Sequence, residues 1–122
     1  MIKKLGISLA SLHFFSVVIA AAFIATSTDK NAVMLWLYYL IIDFPIAFLL
    51  VPASYLMDLI NPISPIDALG NYSVYRDIDN FWFPAVFIGI VGTVWWYYLP
   101  RLITNTVMYV VGLFKGRLTR SE

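Results

Sequence analysis

The chain has 122 residues, 61% of them hydrophobic and only 12% charged, with a formal net charge of +1. A soluble domain of this length carries about a quarter charged residues, so a water-covered globule is excluded. The near-zero net charge leaves no bulk field to recruit nucleic acid, and the absence of cysteine removes disulfides, thiolate catalysis and zinc–thiolate sites.

The first apolar run, Leu5–Thr26, follows Lys3 and Lys4 and is long enough to cross a hydrocarbon core of roughly 30 Å at ~1.5 Å per residue. Ala20-Ala21-Ala22 resembles a small-residue cleavage site, but the apolar run continues past it, so the segment reads as a retained helix rather than a signal peptide. Gly6, Ala10, His13, Val17 and Ala20 recur on one helical face, where small residues let backbones approach closely. The polar turn 27–31 is short and makes the first two spans an antiparallel hairpin.

The second run, 32–57, opens with Trp36 at the interface and carries Asp43 and Pro45 at its centre, then Pro52. Each proline removes a backbone hydrogen bond, which predicts a kinked helix. A competing reading is a re-entrant hairpin with its tip at Asp43-Phe44-Pro45. Residues 58–80 form the polar loop, in which Asn61-Pro62 breaks the helix and Ser64, Pro65, Asp67 and Gly70 spell one helical turn. Asp67, Asp77 and Asp79 match no closed metal-binding loop, so no metal is expected. Asn71-Tyr72-Ser73 fits the short N-glycosylation pattern.

The third run, 81–99, has aromatic belts at both ends, Trp82 on one side and Trp95 and Trp96 on the other. Ala85, Gly89 and Gly92 mark a packing groove between them. The tail, 101–122, is amphipathic and short for a span. It reads as an interfacial helix, a bent extension of the third span, or a short fourth membrane helix. Lys3, Lys4, Arg101, Lys115, Arg117 and Arg120 form the headgroup and topology signal. With both ends inside, four spans and a re-entrant second segment each place six basic residues inside and two outside: Lys30 and Arg101 outside for four spans, Lys30 and Arg76 for the re-entrant form. Three plain spans separate the charges less well.

Asp43 is the residue that lipid tolerates least, at about 2.5–3.5 kcal/mol for an acid at a span centre. His13 lies about as far before the first turn as Asp43 lies after it, so their depths agree to within ~3 Å. The two form a candidate intramembrane polar pair. The motifs of hydrolases, phosphate-binding loops, paired-histidine metal sites and haem attachment are missing, which argues against an enzyme and against any cofactor.

The expected fold is an all-α integral membrane protein in one domain, 1–122. It has three transmembrane helices, the second kinked at Pro45 and Pro52, and the amphipathic tail. The expected role is a non-enzymatic accessory or interaction subunit, or an immunity-type protector, of a membrane complex in a bacterial cytoplasmic membrane. Its expected partners are the bilayer and a membrane protein or further copies of itself. The alternative is a homo-oligomeric channel, proton path or lysis-type pore using Asp43 and His13.

Overall fold

The structure, a computed structural model, describes residues 1–61 and 63–118. Pro62 and Arg120 lie outside the described residues, as do the side chains of Lys115 and Arg117. The described residues form helices joined by turns and one long loop, 63–73, whose pairing is an isolated bridge between Ile66 and Tyr72.

Helix α1 spans Ile2–Thr26. It contains no proline and no charge beyond Lys4, so nothing interrupts its backbone ladder for ~37 Å at ~1.5 Å per residue. Its end is fixed locally: Ser27 turns to extended backbone, the Ser27 hydroxyl accepts from the Asp29 amide, and the Asp29 carboxylate accepts from the Asn31 amide. A 3₁₀ turn, Lys30–Leu35, then leads into α2, Trp36–Ile42. A second 3₁₀ turn, Ile46–Leu49, leads into α3, Leu50–Ile60.

Helices α2 and α3 form a hairpin that folds back on itself. Tyr39 meets Ser16 and Asp43 meets His13, so α2 runs down α1 from the loop end. Helix α3 then returns the way α2 came. Ser54 and Val51 share a cleft with Trp36, Leu37 and Pro84, and the Asn61 side-chain amide reaches Asp79 at the loop end. Sequence periodicity predicts one kinked span over 32–57, and here the structure differs. Pro45 has no amide with which to continue α2. The Asp43 side chain is drawn sideways into α1 and the C-terminal helix, so the chain reverses at 43–45 instead of kinking onward.

The C-terminal helical run starts at Asp77, whose carboxylate accepts from the Asn80 amide. It passes through a π turn (Ile78–Trp82), α4 (Phe83–Phe87), a second π turn (Ile88–Gly92) and α5 (Thr93–Leu118). It lies antiparallel to α1: Gly6 abuts Tyr97, His13 abuts Thr93, and Val17 abuts Gly89. As far as Leu118 the tail is thus an extension of the third helical run, one of the expected forms, and not a separate helix. Pro100 forfeits its own bond to the Trp96 carbonyl, and the Pro100 carbonyl is taken by the Thr104 hydroxyl at 2.8 Å.

Among the described residues, two helices are long and apolar enough to cross a membrane, Ile2–Thr26 and Ile78–Phe114. The hairpin arms Asn31–Ile42 and Ile46–Ile60 are shorter. The core gathers at the loop half of the bundle, where Val17, Ala20, Ile24, Trp36, Tyr39, Phe81 and Ile88 pack together. Away from the faces on which the helices meet one another, they present large apolar side chains to their surroundings.

Candidate functional site

The site sits at the hairpin tip. Counting back from Thr26, His13 lies ~20 Å along α1 at ~1.5 Å per residue. Its Nε2 faces both carboxylate oxygens of Asp43, at 2.9 Å from Oδ1 and 3.1 Å from Oδ2. The Trp96 indole N–H donates to Asp43 Oδ1 at 2.9 Å, and His13 Nδ1 lies 3.2 Å from the Thr93 hydroxyl. Nε2–H donates to the carboxylate, and Nδ1 shares a hydrogen bond with the Thr93 hydroxyl, which can serve as donor or acceptor. Asp43 is 1% exposed and His13 5%, so this cluster is sealed from bulk solvent.

Each element contributes for a local reason. Asp43 terminates α2: its amide still bonds the Tyr39 carbonyl, while its own carbonyl accepts from Ala47 after the turn. His13 belongs to the small-residue face of α1, where Gly6, Ala10, Val17, Ala20 and Ile24 are also buried. On the opposing helix the π turn 88–92 puts Gly89 against Val17 and Gly92 against the pair itself. A π turn adds a residue to the helical circuit and is frequent at functional sites. Here it turns both Thr93 and Trp96 toward His13. A methyl group on Gly92 would stand 2.7 Å from His13 Cε1 and 2.9 Å from Asp43 Cγ, so the missing side chain is the space the pair occupies. Aromatic rings close the shell. Tyr39 meets the imidazole edge-on at 5.7 Å between centroids, and Trp96 stacks beside it at 6.3 Å. The Tyr39 hydroxyl donates to Ser16, whose hydroxyl donates to the His13 carbonyl. A cavity of about 250 Å³, lined by Leu9, Leu12, His13, Ser16, Ile42 and Trp96, abuts the pair on one flank.

A second polar centre organises the long loop. Asp77 is 3% exposed and accepts from the Tyr72 hydroxyl at 2.6 Å, the Asn80 amide at 2.9 Å and the Asn80 side chain at 3.0 Å. Burial, reinforced by the bond to Asp77, pushes the Tyr72 hydroxyl up to about 12. The Asn71 amide, aided by the Leu69 amide, holds the Asp67 carboxyl below its ordinary range. The expected helical turn at Ser64–Gly70 is a hydrogen-bonded loop instead. Ser64 accepts from Ile66, Asp67 from Leu69 and Asn71, and Gly70 takes a φ of 83° that favours glycine. No group of three metal-ligating side chains comes together among the described residues. Asp67 and Asp77 cap backbone amides, and Asp79 meets Asn61.

The structure brings together His13, Asp43 and Gly92, buries Gly6 (against Tyr97) and Ala10 on the same face of α1, and sets Ala85 against the core beside buried Gly89. It relocates two of the tryptophans read as interfacial anchors. Trp36 is buried in the core, with its indole N–H lacking a partner among the described residues, and Trp96 serves Asp43. Trp82 remains outward, bonded to the Tyr75 carbonyl, and Trp95 is half-buried. Pro52 lies within α3 and Pro45 at the reversal. Sequence reasoning missed Thr93 and Trp96 as partners of the pair. Their signal was available: Gly89, Gly92, Thr93 and Trp96 share one helical face at i, i+3, i+4 and i+7.

Comparison of the chain with protein-family models, with curated proteins and with solved structures finds no match.

Proposed function

We propose that the protein is a non-enzymatic integral membrane subunit, built of two spanning helices and a re-entrant hairpin, that acts by packing against another membrane protein or its own copies. One observation carries this reading. The polar groups within the helices turn inward and satisfy one another at the His13–Asp43–Trp96 centre, while the outer surface is left to large apolar side chains. In water that surface would be a liability. In hydrocarbon it is an ordinary lipid- or helix-facing surface, and the inward centre fixes shape instead of performing turnover. An accessory subunit and an immunity-type protector both fit. A bacterial cytoplasmic membrane suits the charge distribution, because the α1 start and the α5 end share one pole and gather the basic residues there.

The test is topology mapping with reporters fused after Lys30, Tyr75 and Glu122. The re-entrant arrangement expects the first two on one side and the third on the other. Three plain spans would separate Lys30 from Tyr75, and that result would overturn the arrangement. Site-specific photo-cross-linking in native membranes then tests the role. Discrete adducts at outward positions such as Phe14 or Val86 support a packing subunit. A chain that never yields more than lipid adducts does not have one.

A second reading is a proton path. The file Thr93–His13–Asp43 is continuous, and the cavity beside His13 offers an approach from one flank. Histidine changes charge near neutral pH, which suits relay chemistry. Proton flux into liposomes that Asp43→Asn abolishes would favour this reading over the first. Equal flux from both proteins would remove it.

A further inference from the structure

We infer that the distal half of α5, Leu102–Phe114, is a surface anchor that lies on the headgroups of the leaflet where α1 begins and recognises anionic phospholipid. The inference rests on the membrane reading above and extends it to a specific lipid chemistry.

Register is the first argument. Gly6 meets Tyr97 and the two helices are antiparallel, so α1 runs out near residue 101. The 13 residues Leu102–Phe114 project beyond it by ~20 Å at ~1.5 Å per residue. The whole run Ile78–Phe114 has 37 residues, ~55 Å of helix against a hydrocarbon core of roughly 30 Å. Its start is tied to the loop centre at Asp77, so the excess length leaves the core at the other pole.

Exposure is the second. Ile103 and Val107 are each 55% exposed and Phe114 64%, with no other part of the described chain covering them. An apolar helix of this kind does not stand free in water.

The third argument is pattern. At ~100° per residue, Arg101, Thr104, Asn105, Met108, Gly112 and Lys115 fall within an arc of roughly 120°. The remaining arc carries Leu102, Ile103, Val107, Tyr109, Val110, Val111, Leu113 and Phe114, with Thr106 as its one polar member, its hydroxyl bonded back to the Leu102 carbonyl. A wide apolar face bounded by a narrow basic one is the geometry of a helix lying in the interface plane. Charge selects the lipid. From Phe81 to Ser121 the sequence has no Asp or Glu, and Lys3 and Lys4 start α1 beside the base of the arm. Phosphate-bearing anionic headgroups complement this pole, and an acidic partner chain is not needed to neutralise it. Pro100 lies inside α5 where the core is left and has no amide to donate to the Trp96 carbonyl, so it is the place where the arm bends onto the surface.

The test uses the full chain, which lacks cysteine, so single cysteines can be introduced cleanly. Val110→Cys on the apolar face and Met108→Cys on the basic face are labelled with a small fluorophore. The proteins are reconstituted into phosphatidylcholine vesicles with or without phosphatidylglycerol. Co-flotation with the vesicles is scored first; a chain that does not float sinks the membrane reading and the anchor together. In floated vesicles the expected result is quenching of the Val110 label by lipid-borne nitroxide and of the Met108 label by aqueous iodide. Phosphatidylglycerol should strengthen this asymmetry, and the Arg101→Gln/Lys115→Gln double variant should lose roughly 5-fold of that gain per charge removed. Iodide reaching both labels, equal lipid quenching of both, or indifference to phosphatidylglycerol would each overturn the proposal. So would a Val110→Cys disulfide joining two copies in place of lipid contact.

Discussion

Gly92→Ala separates helix propensity from packing, because the two effects have opposite signs at this position. Alanine is favoured over glycine in a helix interior by about 1 kcal/mol, so propensity alone makes the variant more stable. The structure argues otherwise. The added methyl would stand 2.7 Å from His13 Cε1 and 2.9 Å from Asp43 Cγ, well inside van der Waals contact. Neither neighbour can retreat freely. His13 is held between Thr93 and Asp43, and Asp43 between His13 and Trp96. Overpacking costs about 1–3 kcal/mol, and each charge-assisted hydrogen bond stretched by the shift adds about 1.5–3 kcal/mol. With the propensity gain subtracted, the expected net loss is about 2–4 kcal/mol. Gly112→Ala is the internal control: no atom lies within 4 Å of its added methyl, so it should gain up to about 1 kcal/mol. Reversible unfolding of the detergent-solubilised protein by SDS, followed by circular dichroism, reads both variants on one scale. If Gly92→Ala matches or exceeds the wild type, as Gly112→Ala is expected to do, the close approach of α5 to the pair is wrong.

Asp43→Ala leaves the His13 and Trp96 donors buried without their acceptor and should cost about 3–5 kcal/mol by the same assay. The double variant His13→Leu/Asp43→Leu removes both ends of the contact and should lose less than the sum of the single changes; strict additivity would mean that the residues do not interact. In the loop, the difference between wild-type and Tyr72→Phe ultraviolet titrations should show one phenol ionising at about 12. Because the folded value is raised above the ordinary 10.0, the Tyr72–Asp77 bond contributes in full below pH 10 and is lost as pH climbs through 12. A difference midpoint near 10 would contradict the buried contact.

The sequence made the all-helical class and the long apolar helices legible because long uninterrupted apolar runs leave few other structures open to the chain. The periodic small residues of α1, Gly6 to Ala20, mark the face that is buried, and the depths of His13 and Asp43 relative to the intervening turn bring the two to one level. Rotation about each helix axis was not readable from depth. The partners on the third helix went unrecognised because tryptophan near the end of an apolar run has two roles, belt and buried donor, that composition does not separate. The hairpin reversal was also ambiguous. A Pro45 and an acid in mid-segment fit a kink as well as a turn until the acid's partners are known, and one of them, Trp96, is 53 positions downstream. The tail's continuity with the third run was one of the readings the sequence offered. Pro100-Arg101 also reads as a boundary, yet proline removes only one rung of the ladder and Thr104 takes the carbonyl that follows.

The order of the ligands of Asp43 along the chain has a consequence for biosynthesis. His13 precedes it by 30 residues, but Trp96 follows by 53. At about 5–20 residues per second the ribosome delivers Trp96 roughly 3–10 s after Asp43. For that interval the nascent hairpin holds a carboxylate with half of its final coordination. The apex can lock only when the last helix arrives, so maturation of this small protein proceeds from its C-terminal end back to its middle.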